Sequence, residues 1–371
     1  MAATKIDAIQ GLRGIAALLV VVDHSILQLT AGYHRTPAGA EMVRRAEEIG
    51  LFGVEVFFLI SGFIMTVTTY RQFSVPGATS EFLWRRFVRI VPLYWLVTAF
   101  LVITLLVQHM PPEGRQVLLS LSFIPYQDAA GLYQPLLRRG WTLNYEMFFY
   151  ALFALALLWR FRSGIAALLL VLVLLVVAGQ MGFSAPCDGY VCGIAWFFSR
   201  PIMLFFAGGI VLGLLRIRLE TRNRLLALDL RAALGIALLI TGIYAWCLIS
   251  VSGPLPGWIG ILGCVAATAC CALNRDSPTH SRDRTTALAV GDASYSIYLT
   301  NSFFVDPASK LWRFAFGTHG LALFVLLMLA GTALLGVVIF RLVEKRMIQV
   351  LRSLRRRSLQ RRGERGLGTS T

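Results

Sequence analysis

An arginine and a histidine eleven residues apart, Arg13 and His24, bracket an apolar run in this 371-residue sequence. On a helix, eleven steps of 100° return to within about 20° of the start and rise roughly 16 Å. The two side chains therefore share one face, and a stripe of that kind turned into a helix bundle could line a passage. Histidine titrates near neutrality, so His24 suits taking a proton from a hydroxyl. Asp23 is adjacent in sequence, and neighbouring residues on a helix do not face each other. Asp23 is therefore not expected to orient His24. Arg86 and Arg89, three apart, share a helix face too, and their planar forks suit phosphates, whether of a nucleotide coenzyme or of a lipid headgroup. Thr142, Glu146 and Tyr150 recur every fourth residue and present a hydroxyl, a carboxylate and a phenol together. Acyl transfer needs a base, a site for the activated donor and stabilisation of a tetrahedral oxyanion, and these residue types can supply all three. Plainer readings stand beside this one. Arg13 can snorkel to an interface, His24 can cap a buried polar pair, Glu146 can balance charge rather than orient a substrate, and Glu55 reads equally as half of a salt bridge.

The elements that must position these groups are membrane spans. Hydrophobic residues make up 57% of the chain and charged residues 15%, where soluble domains carry roughly 25% charged residues. That surplus reads as lipid-facing surface. A helix needs about 20 mostly apolar residues to cross the hydrocarbon, which predicts ten spans: 10–29, 50–69, 89–108, 141–159, 164–183, 196–215, 232–250, 256–273, 287–305 and 321–341. The fold expected is an all-α integral membrane protein, a bundle of about ten transmembrane helices with both termini cytoplasmic. The charge supports that orientation. Of the 35 lysines and arginines, 25 fall in the segments predicted inside, nine in those outside, and Arg13 lies within the first span. An excess of that sign is what sets topology. Ionisable residues within spans are functional hypotheses by default, and here they are Arg13, Asp23, His24, Glu55, Glu146 and Asp292.

A single membrane domain is expected over residues 1–345, with a basic cytoplasmic tail over 346–371. The net charge of +16 follows membrane orientation, and no nucleic-acid partner is expected. The tail is a solvated or anionic-lipid-binding segment. No cleavable signal peptide is expected, because Asp23-His24 follows the first apolar run. Residues 274–286 read as a plain connector, and 117–126 as a semi-apolar piece too short to span. Cys187 and Cys192 share a predicted outside loop and could pair, while the other four cysteines lie in spans. No Gly-x-Ser-x-Gly elbow, P-loop or Cys-x-x-Cys pair is present, and the five histidines lack metal-ligand spacing, so no bound metal is expected.

Five sequence blocks together resemble the membrane-bound acyltransferase family 3, in particular its exopolysaccharide O-acetyltransferase branch. They are Leu12-Arg13-Gly14 leading to His24, Gly53 to Phe63, Arg86 and Arg89 with Pro92, Tyr94 and Trp95, Trp141 to Tyr150, and Ser294 to Leu299. The resemblance runs from about residue 6 to residue 345. It implies transfer of an acyl group, acetyl above all, from cytoplasmic acyl-CoA to a sugar hydroxyl of an exopolysaccharide or its lipid-linked precursor, in a bacterial inner membrane. Acetyl-CoA would be a co-substrate and not a resident cofactor. The resemblance further implies that His24 is the catalytic residue, Arg13 its partner, and that Arg86 and Arg89 bind the donor. Two positions depart from the family pattern: Asn301 stands where many members carry histidine, and Thr142 where serine is commoner. Two readings from other classes remain open at this level. A transporter or flippase would use the same buried charges without consuming thioester, and a non-catalytic assembly partner would not need His24.

Overall fold

The structure, a computed structural model, describes residues 6–31, 36–128, 131–182, 190–250, 255–275 and 282–367. Fourteen α-helices carry the regular structure of these residues: α1 (Asp7–Leu29), α2 (Pro37–Thr69), α3 (Ala78–Val107), α4 (Gly114–Leu121), α5 (Trp141–Ala156), α6 (Phe161–Gly182), α7 (Tyr190–Phe198), α8 (Met203–Thr221), α9 (Leu230–Ser250), α10 (Leu255–Ala272), α11 (Arg282–Asp292), α12 (Ser294–Phe316), α13 (Leu321–Ile339) and α14 (Lys345–Leu367). Seven of them, α1, α2, α3, α6, α9, α10 and the α13–α14 rod, are long and apolar enough to cross a membrane, and α7 with α8, bent by 41°, make an eighth candidate. The protein is thus an all-α, multi-pass membrane protein.

The expected fourth and ninth spans fall outside those eight for different reasons. The α5 helix has only 16 residues, about 24 Å at 1.5 Å per residue, against a hydrocarbon core of about 30 Å. The segment 287–305 is broken at Ala293, where α11 ends and α12 starts. The α12 helix then spends its apolar quota on a polar face of Ser294, Ser296, Thr300 and Asn301, all buried. Other departures follow from local chemistry. The α2 helix begins 13 residues before the expected edge at 50. Thr36 caps it by accepting from Gly39 N, and Arg44 pairs with both Glu41 and Glu48 along its exposed surface. The basic tail is no loose segment but helix α14, joined to α13 through a π-helical turn, Phe340–Glu344. It is held to α3 by Arg355, which pairs with Glu81 at 2.9 Å and lies over the Trp84 ring. The connector 274–286 is helical from Arg282 onward, with residues 276–281 outside the described set. The semi-apolar piece forms α4, docked by Trp95 Nε1 donating to Leu121 O and Tyr94 OH donating to Ser120 O. Cys192 is disulfide-bonded, and Cys187, its expected partner, lies outside the described residues.

Helix α1 is the hub, packed against α2, α12, α11, α13, α9 and α10. Membrane helices gain little from burying apolar surface against one another, so close contact depends on small residues. The α2–α8 crossing works this way. A Cβ on Gly62 would strike Phe206 O, and one on Gly209 would strike Leu59 O, so the backbones meet with no side chain between them. Gly291 of α11 likewise lies against Gln10 O of α1. At the periphery the helices bury one narrow stripe only. On α13 it is Phe324, Met328, Thr332 and Gly336, at every fourth position, while Leu323, Leu326, Leu327 and Leu334 face outward. That outward apolar surface is the lipid-facing one.

Candidate active site

Five helices line a cavity that is partly open to solvent. Helix α1 contributes Arg13, α2 Ser61, α3 Arg86 and Arg89, α5 Thr142, Glu146 and Tyr150, and α12 Tyr295 and Tyr298, with Phe57, Phe58 and Ile64 among the apolar walls. The i, i+4 spacing on α5 delivers Glu146 and Tyr150 to the same spot: Glu146 Oε1 accepts from Ser61 Oγ at 2.8 Å and from the Tyr150 hydroxyl. Arg86 lies across the rings of Phe82 and Tyr150, its guanidinium carbon 5.8 Å from each centroid, and its buried Nε has no hydrogen-bond partner. Arg89 is ion-paired to Glu344, whose other oxygen accepts from Ser296 Oγ at 2.6 Å. Glu344 is 1% exposed and stands in the π-helical turn that ends α13. Such turns commonly mark functional positions, and this one rotates a carboxylate from the α13–α14 rod onto an arginine of α3. Arg13 lies within electrostatic reach of Arg89, Glu146 and Glu344. Three guanidiniums against two carboxylates leave one formal positive charge, and the Arg86 Nε donor is unclaimed. An anion would complement that charge and that donor.

His24 does not line this cavity. It is 5% exposed, and its Nδ1 lies 2.8 Å from Asn301 Oδ1. The direction of that bond is fixed by the amide. Asn301 Nδ2 donates to Tyr298 O at 2.7 Å and Ile297 O at 3.2 Å, so the amide oxygen is what faces the ring. His24 Nδ1 must therefore carry the hydrogen, which leaves Nε2 with its lone pair, the form a general base needs. Asp23 Oδ2 stands 3.6 Å from Nε2, beyond hydrogen-bond range. Asn301, not Asp23, orients the histidine. Asn301 thus occupies a defined position beside His24.

Tyr298 lines the cavity three residues before Asn301 on α12. Its hydroxyl meets Thr142 Oγ1 at 2.6 Å and donates to Arg139 O at 2.5 Å, while Phe57 packs edge-on against its ring. Asn301 and Ser302 lie about one turn further along α12, roughly 6 Å. Arg139, in the 3-10 turn Arg138–Gly140 that leads into α5, donates through Nε to Ser302 Oγ at 2.9 Å. Burial draws the Arg139 guanidinium down to about 10, opposed by the nearby carboxylates of Asp306 and Asp23.

The structure thus gathers Arg13, Arg86, Arg89 and Glu146 around one cavity and sets His24 one layer beyond it. Glu55 and Asp292 go elsewhere. Glu55 accepts from the Cys264 thiol at 3.2 Å in a separate apolar cluster between α2 and α10, and Asp292 is bonded to Gln10 of α1. Sequence reasoning did not single out Glu344. The available signal was a lone carboxylate directly after the most apolar helix.

The family model described as "Acyltransferase domain" matches residues 6–341. The chain is 32% identical over 321 residues to the exopolysaccharide production protein ExoZ of Rhizobium meliloti (strain 1021), an alignment covering 81% of this chain and 90% of that protein. No solved structure matches. The chain belongs to this acyltransferase family.

Proposed function

We propose that this acyltransferase moves an acyl group, acetyl first among candidates, from cytoplasmic acyl-CoA to a sugar hydroxyl of an exopolysaccharide or its lipid-linked precursor. The ExoZ relative's name supplies the polysaccharide. The observation that carries the reading is the pairing of an anion-accepting arginine cavity with a histidine whose tautomer is fixed as a base. In this reading the chain crosses a bacterial inner membrane about ten times, with α5 and α12 as short or polar crossings inside the bundle. Both termini and the Arg89 end of the cavity face the cytoplasm, where the excess of arginines lies.

Acyl-CoA enters at that end, and Arg86 and Arg89 hold its phosphates. The phosphate charge also competes with Glu344 for Arg89. The thioester end reaches past Arg13 toward Tyr298. The acceptor hydroxyl gives its proton to His24 Nε2, its oxygen bonds to the thioester carbonyl, the carbon–sulfur bond breaks, and the departing thiolate receives the proton that His24 had taken. Products are the sugar ester and free CoA. Arg13, which lies roughly 16 Å along α1 from His24, is assigned to the passage that the donor's arm follows. Glu146, already accepting from Ser61 and Tyr150, is assigned to balance Arg13 and Arg86.

The test is acetyl transfer in reconstituted vesicles given labelled acetyl-CoA on one side only. Transfer by the intact protein that vanishes in a folded His24→Ala variant is the expected result. Equal transfer by both would remove His24 from the chemistry. A rapid-quench experiment without acceptor would detect acyl-histidine, the covalent variant of the scheme.

A further inference from the structure

The His24 end of the site holds two carboxylates that the scheme above leaves idle. Asp23 is 8% exposed, and its Oδ1 has no hydrogen-bond partner. It is pressed against α2 at Gly50, where a Cβ would stand 2.7 Å from Asp23 Cβ and Cγ. Asp306 of α12 likewise has a buried Oδ1 without a partner. It lies one turn beyond Ser302, on the same face of α12, and Ser302 takes the Nε hydrogen bond of Arg139. The Arg139 guanidinium interacts electrostatically with both carboxylates. Arg138 and Lys310 also face Asp306, and Glu47 of α2 faces Asp23.

Buried carboxylate oxygens without donors are costly, and native structures rarely leave them so. What would satisfy them is constrained by charge. A second anion would meet two carboxylates, and a simple cation would meet Arg139 and Arg138. A neutral ligand with several hydroxyls meets neither objection: it donates to carboxylate oxygens and accepts from a guanidinium. The unclaimed Asp23 oxygen is in the residue beside the lone pair of His24 Nε2, so a ligand held there has one hydroxyl at the base and its neighbours on the carboxylates.

We propose that Asp23, Asp306 and Arg139 form the acceptor subsite, holding the hydroxyls that flank the one delivered to His24 in an uncharged sugar unit. The inference rests on the acyl-transfer reading above and specifies its substrate class: neutral, vicinally hydroxylated sugars are taken, and uronic acids are rejected by the carboxylates. Asp23 and Asp306 act in binding and positioning, and no bond forms to either.

The experiment uses the full chain in nanodiscs, with labelled acetyl-CoA and lipid-linked oligosaccharide extracted from the host membranes as the acceptor. Losing a hydrogen bond to a charged group costs about tenfold or more. Asp306→Asn is expected to raise the acceptor KM by about that factor and leave the acetyl-CoA KM within twofold, with Asp306→Glu recovering part of the loss. Asp23→Asn should raise the same KM and also lower kcat, being closer to His24. Unchanged acceptor KM in Asp306→Asn, or a fall confined to kcat, overturns the subsite. If the wild-type protein transfers nothing, the acyl-transfer reading fails, and thermal stabilisation by the extract then decides the subsite separately. Stabilisation present in the wild type and lost in Asp306→Asn sustains it, and none in either, or equal stabilisation in both, refutes it.

Discussion

The two ends of the site differ in how their charges are held. At the Arg89 end the carboxylates are spoken for: Glu344 by Arg89 and Ser296, Glu146 by Ser61 and Tyr150. The unclaimed atom there is a donor, Arg86 Nε. At the His24 end the unclaimed atoms are acceptors, Asp23 Oδ1 in the residue next to the histidine and Asp306 Oδ1 one turn beyond Ser302 on α12. One end lacks acceptors and the other lacks donors. The proposed donor, an anion, matches the first, and the proposed acceptor, a polyol, matches the second. Tyr298 and Thr142 divide them.

Substitutions that act on one end only test this division. The largest effect expected is from His24→Ala: transfer falls by about a thousandfold, within the range of a lost general base, while acetyl-CoA binding measured by isothermal titration stays unchanged. A parallel loss of binding would mean the two ends are not functionally distinct. Next is Glu344→Gln. Breaking a buried ion pair from one side costs about 3–5 kcal/mol, so thermal unfolding should occur well below the wild-type temperature. A double change of Arg89 and Glu344 to Met should restore stability without restoring transfer. If the double variant transfers normally, Arg89 has no part in holding the donor.

Smaller effects sharpen the boundary. Asn301→Leu removes the acceptor that fixes the His24 tautomer, and kcat should drop by about a hundredfold, two-thirds of the His24→Ala loss on a logarithmic scale. The acetyl-CoA KM should not move, and Asn301→Asp, which keeps the acceptor, should fall between the two. The smallest is Thr142→Val, which keeps the shape and deletes one hydrogen bond to Tyr298, worth about 1 kcal/mol. A few-fold change in transfer measured at saturating acetyl-CoA is expected. A change as large as that of Asn301→Leu would make Thr142 part of the chemistry instead of the partition.

The unevenness of what could be read from the sequence has physical causes. The face shared by Thr142, Glu146 and Tyr150, and the one shared by Arg86 and Arg89, follow from helical period alone, and both reach the cavity. The same period placed Arg13 and His24 on one stripe, yet only Arg13 lines the cavity. A stripe gives direction around a helix and not what packs against each of its levels, and here Tyr298 and Asn301 of α12 come between. The expected span 287–305 is not among the apolar span candidates for a related reason. Hydropathy averages over faces, and α12 is polar on the face turned to the site, so lipid exposure does not govern its composition.

Composition and charge distribution by themselves determined a helical, multi-pass membrane protein. Every backbone group in hydrocarbon must be satisfied within its own helix, and that demand is written locally in runs of apolar residues. The ordered motifs determined the family in the same way, since each is short and continuous in the chain. Only the tertiary structure decided which ionisable groups are partners. Glu344 meets Arg89 across 255 residues, and Asn301 meets His24 across 277. Neither pairing leaves a periodic trace, because a buried charge or lone pair is satisfied by whatever lies beside it in space, and that neighbour is set by how whole helices pack.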